Sequence, residues 1–252
     1  MSQSFLLREL FHLQVVRQLA ARLSGRAWAV KGGICLRLFH RSPRLSEDLD
    51  CDAATGIRSE TLRRGVDQVL DGRGLAAALA AAGIASLDVT RPKQTETTQR
   101  WKVALRLAGG GSLATKIEFS RRKGVIAAVP GVPGPDILSV HACPPFAVPH
   151  YDAAAMAVQK VLALAAPGRN AVRDLFDLDH LLTHGGGSAT DLLRTAGPGA
   201  ADAAAKVAGY TLRQFEEQVL PYLTEELAAA YRRPGAFSDL QRRVRGVLVG
   251  AS

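Results

Sequence analysis

Asp48 and Asp50 stand two residues apart in the stretch DLDCD. On an extended strand that spacing projects both carboxylates to one face. Two such anions repel unless a cation lies between them, and magnesium is the usual partner because it takes carboxylate oxygens together with substrate phosphates. Upstream, Lys31-Gly32-Gly33 ends a short apolar stretch, Ala27–Val30, and opens a helical run, ICLRLFH. Glycines at such a junction let backbone amides approach a phosphate at the positive end of a helix. A lone Asp-x-Asp pair is more often a pair of solvated strand charges. The order strand, Gly-Gly, helix, basic loop, carboxylate pair is far more specific, because it unites a phosphate cradle with a metal site.

A metal-assisted displacement at phosphorus calls for a third carboxylate. Glu118, in ATKIEFS, is the candidate, sharing a strand face with Lys116 and Ser120. Read alone, Lys116 and Glu118 are equally the exposed side of a half-buried strand. Further on, Lys160 has Met156, Ala157 and Leu164 as its helical neighbours, so its stem lies on an apolar face. Its ammonium either snorkels outward or meets an anion such as a nucleotide phosphate. In GRNAVRDLFDLDHLL, Asp174 and Asp177 are one turn apart, and Arg173 is spaced to pair with Asp177.

The elements that must carry these residues follow from periodicity. A helix spans about 5–23, a strand 27–30, and a helix begins at 34. RSPRLSE is a loop and DLDCD a strand; a helical pattern then runs from 57 to about 82, broken at Asp71-Gly72. Strands follow at SLDVTRP, TQRWKVALRLAG and SLATKIEFSRR, the last two joined by a glycine hairpin, Gly109–Ser112. Pro/Gly-rich segments at 129–136 and 143–152 mark a boundary. Beyond it only helices are read, over about 152–166, 171–184, 188–207, 211–230 and 238–249. The expectation is an α/β half over 1–150 followed by a helical half over 151–252.

With 47% hydrophobic and 22% charged residues the composition is that of a globular protein. The N-terminal stretch mixes charge into its apolar pattern without a cleavage site, and the most apolar run, Gly74–Ala85, is too short to cross a bilayer. Cys35, Cys51 and Cys143 have neither disulfide-framework nor zinc spacing, which suits a reducing cytoplasm. The net charge of +9, mainly from arginine, suits a polyanion such as RNA. Arg37, Arg41, Arg44, Arg121 and Arg122 are the expected guides for it. The six histidines lack metal spacing and read as surface or capping residues; Trp28 and Trp101 read as core.

Together, VKGGICLRLFHRSPRLSEDLDCD, TKIEFS and QKVLALAAPGRNAVRDLFDLDHLL resemble the AbiEii/AbiGii-type nucleotidyltransferase toxins, over roughly residues 10–185. The resemblance implies an α+β fold, with a DNA polymerase β-like nucleotidyltransferase core (a mixed sheet flanked by helices) and an α-helical C-terminal region. It implies the toxin of a toxin–antitoxin or phage-defence pair, with a cognate antitoxin. The substrate would be an NTP used with Mg2+ or Mn2+, and the acceptor an RNA, above all the 3′ end of tRNA. By resemblance, Asp48 and Asp50 hold metal and Gly32, Gly33, Ser46 and Lys160 bind nucleotide. Glu118 is added as the third metal carboxylate from its strand position, and Lys31 and Arg173 are added as nucleotide-binding residues. Lys160 and either Asp174 or Asp177 join the carboxylates in activity. Ile34 departs from the pattern, which has Ser or Thr directly after the glycines. Two other readings stay open: a metal-dependent nuclease acting on water, and a nucleotide-binding domain that has lost transfer.

Overall fold

The computed structural model describes residues 3–186 and 199–250. The chain divides into two compact units: Met1–Phe39 with Ser46–Tyr151, and His40–Leu45 with Asp152–Ser252.

The first unit is built on a seven-stranded mixed sheet. Its strands in chain order are β1 (Trp28–Lys31), β2 (Asp48–Ala54), β3 (Ile84–Gln94), β4 (Thr98–Leu107), β5 (Ser112–Lys123), β6 (Val129–Gly131) and β7 (Val148–His150), and they lie in the spatial order β3-β4-β5-β2-β1-β7-β6. Alternation decides the faces. Trp101, Val103 and Leu105 of β4 and Ile117 and Phe119 of β5 are buried, whereas Lys102 and Arg106 on the other face are exposed. Trp28 joins that apolar side, with its ring 6.1 Å from Phe119, and Trp101 meets Phe119 edge-on at 6.3 Å. Helices α1 (Gln3–Ala20), α3 (Ser59–Leu70) and α4 (Arg73–Ala80) pack together and supply Phe11, Leu13, Leu62, Val66 and Leu75 to this core. Trp101 donates its indole N–H to Asp67 of α3 at 2.8 Å, so the buried ring keeps its polar atom satisfied.

The Pro/Gly-rich segments read as a boundary carry two further strands of the sheet, and the first unit ends just after them, at Tyr151. Val129–Gly131 and Val148–His150 pair antiparallel, Val30 pairs in parallel with His150, and α5 (Pro135–Val140) lies between the two strands in sequence. Prolines cannot donate to a ladder, so a sequence reading discards them; at short strands by a sheet edge they are tolerated.

In the second unit α6 (Ala153–Ala165) is capped by Asp152, whose carboxylate accepts from the Ala155 amide at 2.8 Å. It packs on α7 (Arg173–His184) and α8 (Gly199–Ala208), with α11 (Ala236–Gly250) against both of those. The expected helix over 188–207 lies, up to residue 198, outside the described residues. The helix expected over 211–230 is three pieces: α9 (Leu212–Gln218), a 3-10 turn (Leu220–Tyr222) and α10 (Glu225–Tyr231). Pro221 breaks it, and Thr211 and Thr224 cap the two helices. Phe215 centres an aromatic cluster with Phe176, Tyr231 and Phe237.

Candidate active site

The strand register assembles residues that are far apart in sequence. Lys31 of β1 lies opposite Asp50 of β2, Asp50 opposite Glu118 of β5, and Glu118 opposite Arg100 of β4. Paired residues share a face, so four strands present one row, cation–anion–anion–cation. One step along, Asp48 pairs with Lys116, whose ammonium lies 3.0 Å from the Asp48 carboxylate. Arg100 holds Glu118 at 2.6 Å.

The electrostatics reflect this crowding. Burial raises the pKa of Asp50, and the neighbouring Asp48 and Glu118 add to it against the pull of Lys116 and Lys31. Burial also opposes the charge on Lys116, but Asp50 and Asp48 outweigh it and raise its pKa. Lys116 thus supplies positive charge among carboxylates that repel one another.

Gly32 opens α2 (Gly32–Phe39) with φ of 70°, a conformation that favours glycine. A β-carbon there would stand 3.2 Å from a carboxylate oxygen of Asp50. The glycine therefore serves the turn and the approach of the helix start to the carboxylate strand. Ile34, where the resemblance implies a hydroxyl, is 1% exposed and belongs to the apolar core. Ser46 donates its hydroxyl hydrogen bond to the Asp48 carbonyl at 3.0 Å, bracing the start of β2.

Sequence reasoning missed the cluster around Asp52. This third carboxylate of DLDCD is buried and takes Lys31, Lys123 at 2.8 Å and the Tyr151 hydroxyl at 2.7 Å. Burial alone would raise its pKa, but Lys31 first, and then hydrogen bonds from Lys123, Lys31 and Tyr151, hold it low. The continuing i, i+2 alternation was a usable signal for Asp52. Lys123 was hidden by a register shift between Asp52 and Ala54, which reverses the parity of β5.

Lys160, Asp174 and Asp177 lie in the helical unit and meet there. The Lys160 ammonium is buried, 2.8 Å from Asp174 and 2.6 Å from Asp177. Arg44 grips Asp177 with two nitrogens, at 2.7 and 2.8 Å, while Arg169 holds Asp174 at 2.7 Å. Burial works against the charges, yet Arg44 and Lys160 hold the Asp177 pKa well below the ordinary carboxylate range, and Asp177 and Asp174 raise that of Lys160. The expected Arg173–Asp177 pair does not form: Arg173 is exposed and Asp177 is fully enclosed. Arg44 and Arg121, expected as guides for an acidic partner, are buried, with Arg121 on Glu96 and the Ile57 carbonyl. Nor are the histidines all at the surface: His12, His150 and His180 are buried, and His12 has its Nε2 2.7 Å from the Thr115 hydroxyl.

Among the described residues no group of three His, Cys, Asp or Glu side chains forms a ready metal cage. Asp48 and Glu118 are turned onto Lys116 and Arg100. The donor chemistry nevertheless fits a hard divalent cation, because Asp48, Asp50 and Glu118 offer oxygens on one face of adjacent strands.

Over the whole chain the fold is similar to that of JHP933 from Helicobacter pylori, with a TM-score of 0.59, 19% identity, and 99% of this chain and 95% of that one covered. It is similar also to MenT4, a nucleotidyltransferase toxin from Mycobacterium tuberculosis H37Rv, with a TM-score of 0.58, 14% identity, and coverage of 100% and 99%. No curated protein sequence matches the chain. Residues 14–242 match the family described as nucleotidyl transferase AbiEii toxin, type IV TA system, and the chain belongs to that family. It is accordingly a nucleotidyltransferase of the toxin–antitoxin class, with an NTP as substrate and an antitoxin as its system partner. Among the described residues, no helix is long and apolar enough to cross a membrane.

Proposed function

We propose that the protein transfers a nucleotide from an NTP to the 3′-hydroxyl of an RNA, a tRNA above all, at the Asp48–Asp50–Glu118 face. The observation that carries this is the register of Asp50 opposite Glu118, with Gly32 packed on Asp50. Asp48, Asp50 and Glu118 would hold Mg2+ or Mn2+. The cation, when bound, supplies neutralisation of the triphosphate and of the charge that builds on the leaving group. Lys31 and the first amides of α2, at Gly32 and Gly33, bind the phosphates, and Ser46 keeps the Asp48 backbone in place. The acceptor oxygen forms a bond to the α-phosphorus as the bond to the β-phosphate oxygen breaks and pyrophosphate leaves. Glu118 draws the proton from the attacking hydroxyl. The surplus of basic residues suits a polyanionic acceptor.

The test is transfer of α-labelled NTP to total tRNA. Asp48→Asn keeps the size of the side chain but removes its charge, and label transfer is expected to fall at least about a hundredfold. Transfer by the variant at the wild-type rate overturns the assignment. RNA shortened without NTP identifies a nuclease instead. Ile34 is buried and cannot replace a phosphate-binding hydroxyl, so the same assay decides the reading in which transfer has been lost: NTP binding with no labelled RNA would favour it.

A further inference from the structure

The sheet order places Lys31 and Gly32 on one side of β2 and strands β5, β4 and β3 on the other. On that second side, on the carboxylate face, a groove of about 720 Å³ begins at Asp48 and Lys116 and runs outward over β4 to β3. Its floor includes Ala104 and Ala114, which lie directly opposite each other in the β4–β5 ladder. Around them stand Arg8, Arg100, Lys102 and Arg106. Arg106 pairs with Asp88, Arg100 with Glu118, and Arg8 reaches Glu47 at 3.7 Å, whereas Lys102 is exposed and has no carboxylate partner among the described residues.

We infer that this groove is the acceptor site and that it takes the single-stranded 3′ end of an RNA. The inference rests on the proposed transfer reaction and adds where the second substrate lies. Displacement at phosphorus sets the attacking oxygen in line with the leaving pyrophosphate, on opposite sides of the phosphorus. Donor phosphates at Lys31 and Gly32 leave the β5–β4–β3 side for the attacking hydroxyl. Small residues on the floor admit sugars and base faces, and the basic residues on the same face of β4, Arg100, Lys102 and Arg106, interrupted by Ala104, suit a phosphate backbone. Base faces laid on an alanine floor have to be unpaired, so the strand enters single.

The test measures a 5′-labelled single-stranded oligoribonucleotide with a free 3′-hydroxyl, by anisotropy in magnesium-free buffer at several salt concentrations. The full-length chain is compared with Lys102→Glu/Arg106→Glu and with Arg22→Glu/Arg64→Glu, an equal charge change on exposed positions of α3 and just past α1. The groove variant is expected to bind about tenfold more weakly, with its log–log salt slope reduced by about 1.4, from about 0.7 per phosphate contact. The control should keep the wild-type slope. Equal weakening in both double variants, or in neither, overturns the inference. Lys102→Gln guards against misfolding, since one neutral exchange at an exposed site should still raise the KM for RNA and leave the KM for NTP unmoved. If wild-type protein binds RNA in the groove yet transfers nothing, the reaction assigned above fails and the groove stands. If transfer to RNA proceeds with the same RNA KM in the groove variant, the groove fails and the reaction stands. Labelling of a polypeptide with no groove-dependent RNA binding overturns RNA as the occupant.

Discussion

Gly32 carries two demands at one position, a φ of 70° and an approach to Asp50 that leaves 3.2 Å for a β-carbon. Gly32→Ala should cost about 1–2 kcal/mol from the backbone conformation alone, read as a lower urea midpoint. Transfer should fall further than stability does, because the new methyl presses on a carboxylate of the site. His12 gives a second residue-scale expectation. Burial holds its pKa down at about 3, against 6.5 for the ordinary side chain. Between those values the unfolded chain takes up a proton that the folded chain refuses. Its contribution is therefore fully present above about pH 6.5 and is lost as pH falls toward 3, at no more than about 1.4 kcal/mol per pH unit. His12→Phe should flatten the dependence of the urea midpoint on pH across that window; an unchanged slope would show that His12 is not responsible. Asp48, Asp50, Glu118 and the glycine pair were legible in the sequence because strand alternation and turn chemistry are local rules. Asp177 was legible as a residue but not by its partner, because Arg44 is 133 residues away.

At the scale of elements, the network of Lys160, Asp174, Asp177, Arg44 and Arg169 ties α6 and α7 to the segment His40–Leu45. Removing one member leaves charge buried without its partner, which costs about 3–5 kcal/mol. Lys160→Met should lose stability on that scale in urea titration, with the loss largest near neutral pH. Asp177 has its pKa lowered, so its contribution holds above the ordinary carboxylate range and fades only as pH falls through its own depressed value. A loss below about 1 kcal/mol would mean that the network is not a keystone of the helical unit. Lys160 was read as snorkelling or meeting an anion such as a nucleotide phosphate; the anions it meets are Asp174 and Asp177, which a helix wheel of its own neighbours does not show. The sheet has a parallel lesson: β6 and β7 were invisible behind Pro130 and Pro149, and only the ladders of β7 with β1 and of β6 with β7 explain them.

For the whole molecule, the notable fact is that the units are discontinuous in sequence. His40–Leu45, between α2 and β2 in the chain, belongs with the helices, and the Leu45 amide donates to the Tyr222 carbonyl at 2.9 Å. Hydrogen exchange on the full chain should show the Leu45 amide protected, and Lys160→Met should release it together with the α6–α7 amides. Release of α6–α7 with Leu45 still protected would show that the segment is held independently. No linear reading finds such an excursion, since a six-residue loop has no pattern that reports where it docks.

The sequence by itself determined the class of protein, the order of strand, glycines, helix and carboxylate strand, and the acidic residues of the candidate site. Those follow from φ preferences, from the two-residue period of strands and from a motif order that spans most of the chain. Tertiary structure alone decided that Asp50 meets Glu118, that Lys116 and Arg100 hold the carboxylates, that Asp52 gathers Lys31, Lys123 and Tyr151, and that Lys160 faces protein anions. Each of those is a pairing between segments distant along the chain, set by strand register and burial. Local periodicity says which face a residue takes but not what stands opposite it.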